Sequence, residues 1–288
     1  MSNIVNIKRR LAAVSQTRKI TRAMYTIAAS RMRGGLANYE KNRPFLQQVR
    51  RSMKEILLTD DGTDHILLDR PHGNRAVHIV IAGDRGLVGG FNRELLEVAV
   101  KHMQGFDEQN IFCIGRVARN YFEVRNMQVD IEFTDVVQNP TLHHARVIAE
   151  TLLELFEQDV LDQAFIVYRR MVSTMQHQPM IERLLPLTLD GFADIDPEEL
   201  DLSDKQFVPS AVQVFSSLVP KYLISRIYSS LVQSYASEQC ARANAMFAAT
   251  KNVDEMIERL TLSINRARQE QITNEIAEIV GGANALKG

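Results

Sequence analysis

The 288-residue chain is 45% hydrophobic, contains no Trp and carries a formal net charge of −1. That is material for one fair-sized core, and no run approaches the ~18 apolar residues of a membrane helix. Two cysteines, Cys113 and Cys240, are too few for a disulfide framework. They read as buried small hydrophobes in a reducing compartment. The opening MSNIVNIKRRLAAV has no continuous apolar core of the kind a secretory leader carries.

Stepping alternately by three and four from Ile4 gives Ile7, Leu11, Val14, Arg18, Thr21 and Tyr25, then Ala28, Met32, Gly35, Tyr39, Asn42, Leu46, Val49, Met53 and Ile56. This is a heptad seam, apolar at both ends and polar or small in the middle. It predicts a helix over residues 1–58, with a kink or weak spot around Gly34, Gly35 and Pro44. Residues 1–54 hold thirteen Lys and Arg against the single acid Glu40, whereas residues 55–207 hold thirteen basic and twenty-seven acidic residues. A solvated face usually mixes both signs, and this one does not. The cations of the helix are too numerous for pairing within the segment and point towards acidic partners or another polyanion. Aromatic residues interleave poorly with them, so stacking on single-stranded nucleic acid is disfavoured.

Residues 59–75, rich in Asp, Gly and Pro, read as a loop. The middle of the chain, 75–207, then alternates strand and helix. Strands are expected at 76–82, 110–115, near 128–133, at 164–171 and near 180–189. Helices are expected at 91–103, up to Phe122, and over about 141–159. Such alternation implies a small Rossmann-like α/β domain with a partly parallel sheet. An acidic connection, 190–206, follows. The turn GDRGLVGGFN at 83–92 sits where a phosphate cradle would sit, but it lacks the Lys-Ser/Thr of a P-loop and the glycine order of a dinucleotide fingerprint. It reads as a glycine-permitted tight turn presenting Asp84 and Arg85. No Ser, His and Asp fall at triad or metal-ligand spacing, and no cofactor is implied.

From about 208 to 288 a second helix is predicted, stepping from Phe215 through Tyr222, Ser229, Ala236, Ala243, Thr250, Ile257 and Ile264 to Ala267. At 1.5 Å per residue, residues 209–286 would extend about 115 Å. Regular charges exclude a membrane span. A lone heptad helix is unstable, so the two terminal helices are expected to pair with each other, antiparallel, as a coiled coil. Homodimeric coiled coils at each end are the alternative on periodicity alone.

Four ordered segments carry a resemblance. IKRRLAAVSQTRKITRAMYTIAASRMR (7–33), GDRGLVGGFN (83–92), SEQCARANAMFAATKN (237–252) and ITNEIAEIVGGANA (272–285) resemble the signatures of the γ subunit of the F-type ATP synthase. The glycine turn departs from the usual form at Gly83 and Val88. The resemblance covers essentially the whole chain. It implies a non-catalytic rotor inside a head of alternating α and β subunits, bound below to ε and the membrane c ring, with no nucleic acid partner. The bacterial form is expected, peripheral on the cytoplasmic face of the plasma membrane, touching the membrane only through the complex.

By the same resemblance, Arg268, Gln269 and Thr273 are expected at the β catch loop and Arg242 in a related contact. Lys19, Arg22 and Met24 match the segment near an acidic β lever, and Arg85 is a candidate for that surface. A free-standing coiled-coil adaptor and a nucleotide-dependent α/β enzyme are the competing readings.

Overall fold

The structure, a computed structural model, describes residues 2–59, 73–173, 176–200 and 207–285. Most of the expected 59–75 loop and the end of the acidic connection lie outside them. Helix α1 spans Ser2–Thr59 and helix α5 spans Ala211–Ala285. Between them run β1 (Arg75–Ile81), α2 (Phe91–Met103), β2 (Glu108–Ile114), α3 (Arg116–Glu123), β3 (Ile131–Phe133), α4 (Leu142–Glu157), β4 (Gln163–Met171) and β5 (His177–Leu185). Inter-residue contacts divide the chain into two units, residues 29–241 and residues 1–28 with 242–288.

In the first unit the sheet order is β3-β2-β1-β4-β5, parallel except for β5, which is antiparallel to β4. Side chains of β1 alternate between two cores, as a period of two requires. Val77, Ile79 and Ile81 face a core shared with α4, with Leu46, Val49, Met53 and Ile56 of α1, and with Phe215, Leu223 and Leu231 of α5. Val80 and Ala82 face Leu95, Leu96 and Phe122 of α2 and α3. Burial on both faces explains the near-continuous apolar run that marked this strand. Strand β5 begins three residues before its expected position. It is an edge strand of mixed polarity, HQPMIERLL, and Pro179 is tolerated there because an outer N–H has no ladder partner to lose.

Pro44 lies inside α1, so the expected weak spot does not end the helix. One absent backbone bond is offset by the four buried apolar residues that follow. Residues 222–241 of α5 are enclosed almost all round, with many small polar side chains among them. Asn42 donates its amide to Ser225 O at 3.0 Å and Ser229 Oγ at 2.8 Å, and accepts from Ser225 Oγ at 3.2 Å. Gly35 permits the helices to approach: a Cβ there would stand 3.0 Å from Tyr235 and 3.1 Å from the Ala236 Cβ.

The expectation that α1's cations serve partners and not the fold needs correction at two positions. Arg50 holds the Asp194 carboxylate and donates to Gly191 O at 2.8 Å, and Lys54, 7% exposed, donates to Phe192 O at 3.0 Å and to Ile195 O. These bonds, with buried Phe192, Ile195 and Leu200, dock the acidic connection. Sequence distance hid them: the partners lie some 140 residues away.

In the second unit α1 and α5 pair antiparallel. Arg18 meets Asp254 at 3.3 Å, the Thr21 and Thr250 hydroxyls are 2.8 Å apart, and the Tyr25 and Phe247 ring centroids 6.1 Å. Ile4, Ile7, Leu11 and Val14 are half-buried, as are Val253, Ile257, Leu260, Ile264 and Ala267. Tyr25, expected on the seam, is instead 40% exposed, and half-buried Met24 holds that place. The true period of 3.6 shifts such a pattern by a residue. From Arg268 to Gly282 every residue of α5 is exposed.

Candidate functional site

The glycine turn follows β1, the strand whose two neighbours, β2 and β4, lie on opposite sides of it in the sheet. Ligands of open α/β sheets bind at such a switch point. Here the chain's own α5 occupies it. Val88 and Phe91 of the turn pack on Ala241, and Ser237 Oγ donates to Arg169 O at 3.2 Å. Arg169, 1% exposed, donates Nε and Nη2 to Phe91 O at 3.1 and 2.8 Å and reaches Glu94 at 2.6 Å. The turn is tied below by Asn92 Oδ1, which accepts from Gly83 N–H at 3.0 Å. Asp84 accepts from the Arg116 N–H at 3.1 Å and from Gln138 at 3.2 Å, so it faces the start of α3 as well as solvent. Arg85, Gly86 and Leu87 form the exposed tip.

Sequence reasoning missed Arg169 and its position beneath the turn. The signal was there in weak form: a buried strand, AFIVYRRM, that ends in two arginines must find an acceptor for any guanidinium it encloses.

The remaining expected residues fall in the other unit or at its margin. Lys19 and Arg22 are exposed on α1, whereas Met24 turns its side chain into the seam, half-buried. Arg242 is half-buried on α5. Gln269 and Thr273 line a shallow concavity with Arg266, Glu270 and Asn274, and Arg268 is exposed nearby. Thus Arg268, Gln269 and Thr273 cluster on one stretch of α5, Lys19 and Arg22 on α1, and Arg85 belongs to the other unit.

Reactive chemistry is muted. Among the described residues no group of three or more His, Cys, Asp or Glu could hold a metal ion. Burial pushes the Cys113 thiol up to about 12, far from thiolate formation at neutral pH. Burial, with Glu182 beside it, also raises the Tyr168 hydroxyl.

A family model described as ATP synthase matches residues 3–286. An ATP synthase gamma chain of Alkaliphilus metalliredigens is 38% identical over 284 residues, covering 98% of each chain. The chain belongs to the ATP synthase gamma chain family. Gamma chains of Ruminiclostridium cellulolyticum and Frankia casuarinae are each 37% identical, covering 99% and 97% of this chain and 99% and 96% of their own lengths. Among solved structures, a chain of the Euglena gracilis mitochondrial ATP synthase is similar with a TM-score of 0.65 at 16% identity. That likeness covers 99% of this chain and 95% of the other. A chain of the central stalk and c-ring structure of the Tetrahymena thermophila mitochondrial ATP synthase gives 0.58 at 21%, covering 80% of this chain and 99% of the other. At such identities these two likenesses speak for the fold alone. In this gamma-family chain, no helix among the described residues is long and apolar enough to cross a membrane.

Proposed function

We propose that this chain is the central rotor shaft of a bacterial F-type ATP synthase, coupling ion flow through a membrane c ring to ATP synthesis or hydrolysis at β subunits. It works as a non-catalytic subunit: α and β surround the paired helices, and ε and the c ring hold the α/β part. It stays peripheral, on the cytoplasmic face of the plasma membrane. Functionally it divides into 1–58, 75–207 and 208–288.

The observation that carries this reading is the end of α5. Among the described residues the paired seam runs to Ala267, and the helix continues beyond it, exposed at every residue from Arg268 to Gly282. Ile272, Ile276, Ile279 and Val280 stand 45–72% exposed there, an apolar surface with a sleeve as its natural surroundings. Arg268, Gln269 and Thr273, at the first turns of that segment, would meet the β catch loop, with Arg242 in a related contact. Lys19 and Arg22, with Arg85 on its own unit, would meet acidic β levers. Met24 would act through the seam that positions them. Each exposed ion pair is worth about 0.2–1 kcal/mol, which suits contacts that break and re-form on every turn.

The test replaces Arg268 and Gln269 together with Ala in the reconstituted complex. Helicity should hold, since Ala is the best helix former, while ATPase turnover or ATP-driven ion pumping falls. Assembly and coupling at wild-type efficiency would remove the catch-loop role.

A further inference from the structure

A cavity of about 650 Å³ opens in the unit of residues 29–241, between α1, α5, β5 and the 3-10 turn at Leu189–Phe192. Its wall carries five guanidiniums and three carboxylates. Two of the carboxylates are already engaged. Asp194 is gripped by Arg50, Nη1 at 2.8 Å, and that bond holds its carboxyl below the ordinary range. Glu182 is shared between Arg226 and the Tyr168 hydroxyl. Among the described residues of the wall, Asp190 is the carboxylate left to balance Arg43, Arg170 and Arg183, which come from α1, β4 and β5.

Among the described residues, none of these three guanidiniums is paired with a carboxylate of the cavity wall. Arg43 has Glu40 at 3.5 Å, outside the cavity wall and itself largely exposed. Arg183 donates to the neutral Thr188 hydroxyl at 2.8 Å. Arg170 is exposed and makes no ion pair among the described residues. Like charges gathered round a concavity raise its potential and attract anions.

Guanidinium forks match the paired oxygens of phosphates and carboxylates. The volume falls within the ~300–1,000 Å³ of small-molecule sites: room for more than a lone phosphate, too little for a folded element. Leu46, Leu187, Phe192 and Tyr222 supply an apolar and aromatic side to the cavity. A ligand that satisfies three cations while covering such a surface needs at least two negative charges and some body behind them.

We propose that this cavity binds a small phosphate-bearing polyanion, held by Arg43, Arg170 and Arg183. The same chemistry is offered by a soluble pyrophosphate or phosphoester and by an anionic phospholipid headgroup. The site is independent of the shaft contacts, so its failure would leave the rotor reading untouched.

Calorimetry on the full chain with pyrophosphate as probe, alongside co-sedimentation with phosphatidylglycerol and phosphatidylcholine vesicles, tests the site. The double variant R170Q/R183Q should weaken binding at least tenfold. R93Q, removing an exposed arginine of α2 whose partner is Glu97, should change it less than twofold. If the double variant melts early, R170Q alone carries the test, because that side chain supports no ion pair among the described residues. Pyrophosphate binding lost in the variant assigns a soluble ligand. Binding to phosphatidylglycerol alone, lost in the same variant, assigns a headgroup. No binding of either probe, or binding that R93Q weakens as much as the double variant does, overturns the proposal.

Discussion

The hydroxyls of Thr21 and Thr250 lie 2.8 Å apart, 229 positions from each other along the chain. That contact defines an antiparallel register, since Arg18 meets Asp254 on one side of it and Tyr25 meets Phe247 on the other. Disulfides need Cβ atoms about 3.5–4.5 Å apart, and two hydroxyls in hydrogen-bond contact bring theirs close to that span. The double variant T21C/T250C should therefore oxidise within one chain, giving a faster-migrating monomer on a non-reducing gel at low protein concentration. Disulfide-linked dimers as the sole product would revive the homodimeric coiled coil.

Two glycines should respond differently to the same substitution. Gly115 has φ +98°, and a Cβ there would stand 2.2 Å from Ala82 O. Backbone strain alone costs about 1–3 kcal/mol at such a position, and the clash at the start of α3 adds to it. Gly115→Ala should lower the urea midpoint sharply or prevent folding. At Gly86 a Cβ would meet open space, so Gly86→Ala should be neutral in stability. It should also be neutral towards phosphate probes, because the turn serves α5 and not a ligand. Loss of pyrophosphate affinity in that variant would bring back the phosphate-cradle reading.

Acid should weaken the fold through His78. Its ring is buried among His102, Phe106 and Phe165, with Nε2 2.9 Å from His102 Nδ1. Desolvation, with a smaller contribution from His102, pushes it down to about 3. Unfolded, it returns to its ordinary 6.5. Between those values the unfolded chain binds the extra proton. Stability is thus complete above pH about 6.5 and declines as pH falls towards 3, by up to about 1.4 kcal/mol per pH unit. Urea midpoints at pH 7 and 5.5 should diverge in the wild type and converge in His78→Phe. An unchanged slope in that variant would assign the acid sensitivity to other groups.

Periodicity sufficed for both terminal helices, and apolar runs between turn signals for the succession of strands along the chain, because such patterns impose burial directly. The antiparallel pairing also followed, since each seam lacked any other partner. The seam's phase at Tyr25 did not follow, because one residue of drift exchanges it with Met24. Nor did the structural service of Arg50 and Lys54: a cation reads the same whether it faces water or a carbonyl 140 residues away. The glycine turn was legible as a turn, whereas its covering by Ser237 and Ala241 depends on two distant segments meeting. The resemblance pointed to Arg268, Gln269 and Thr273, and the fold adds that they lie beyond the end of the paired seam.

Residues of α1, α5 and the sheet share a single core in the unit of residues 29–241. Leu46 and Met53 of one helix, Phe215 and Leu231 of the other, and Val77 and Ile166 of the strands are members of the same packed cluster. Torque delivered to the sheet therefore enters both helices together, and neither can creep past the other without opening that cluster. The α/β body acts as a keyed collar: it turns two separately slippery cylinders into one part that can bear twist.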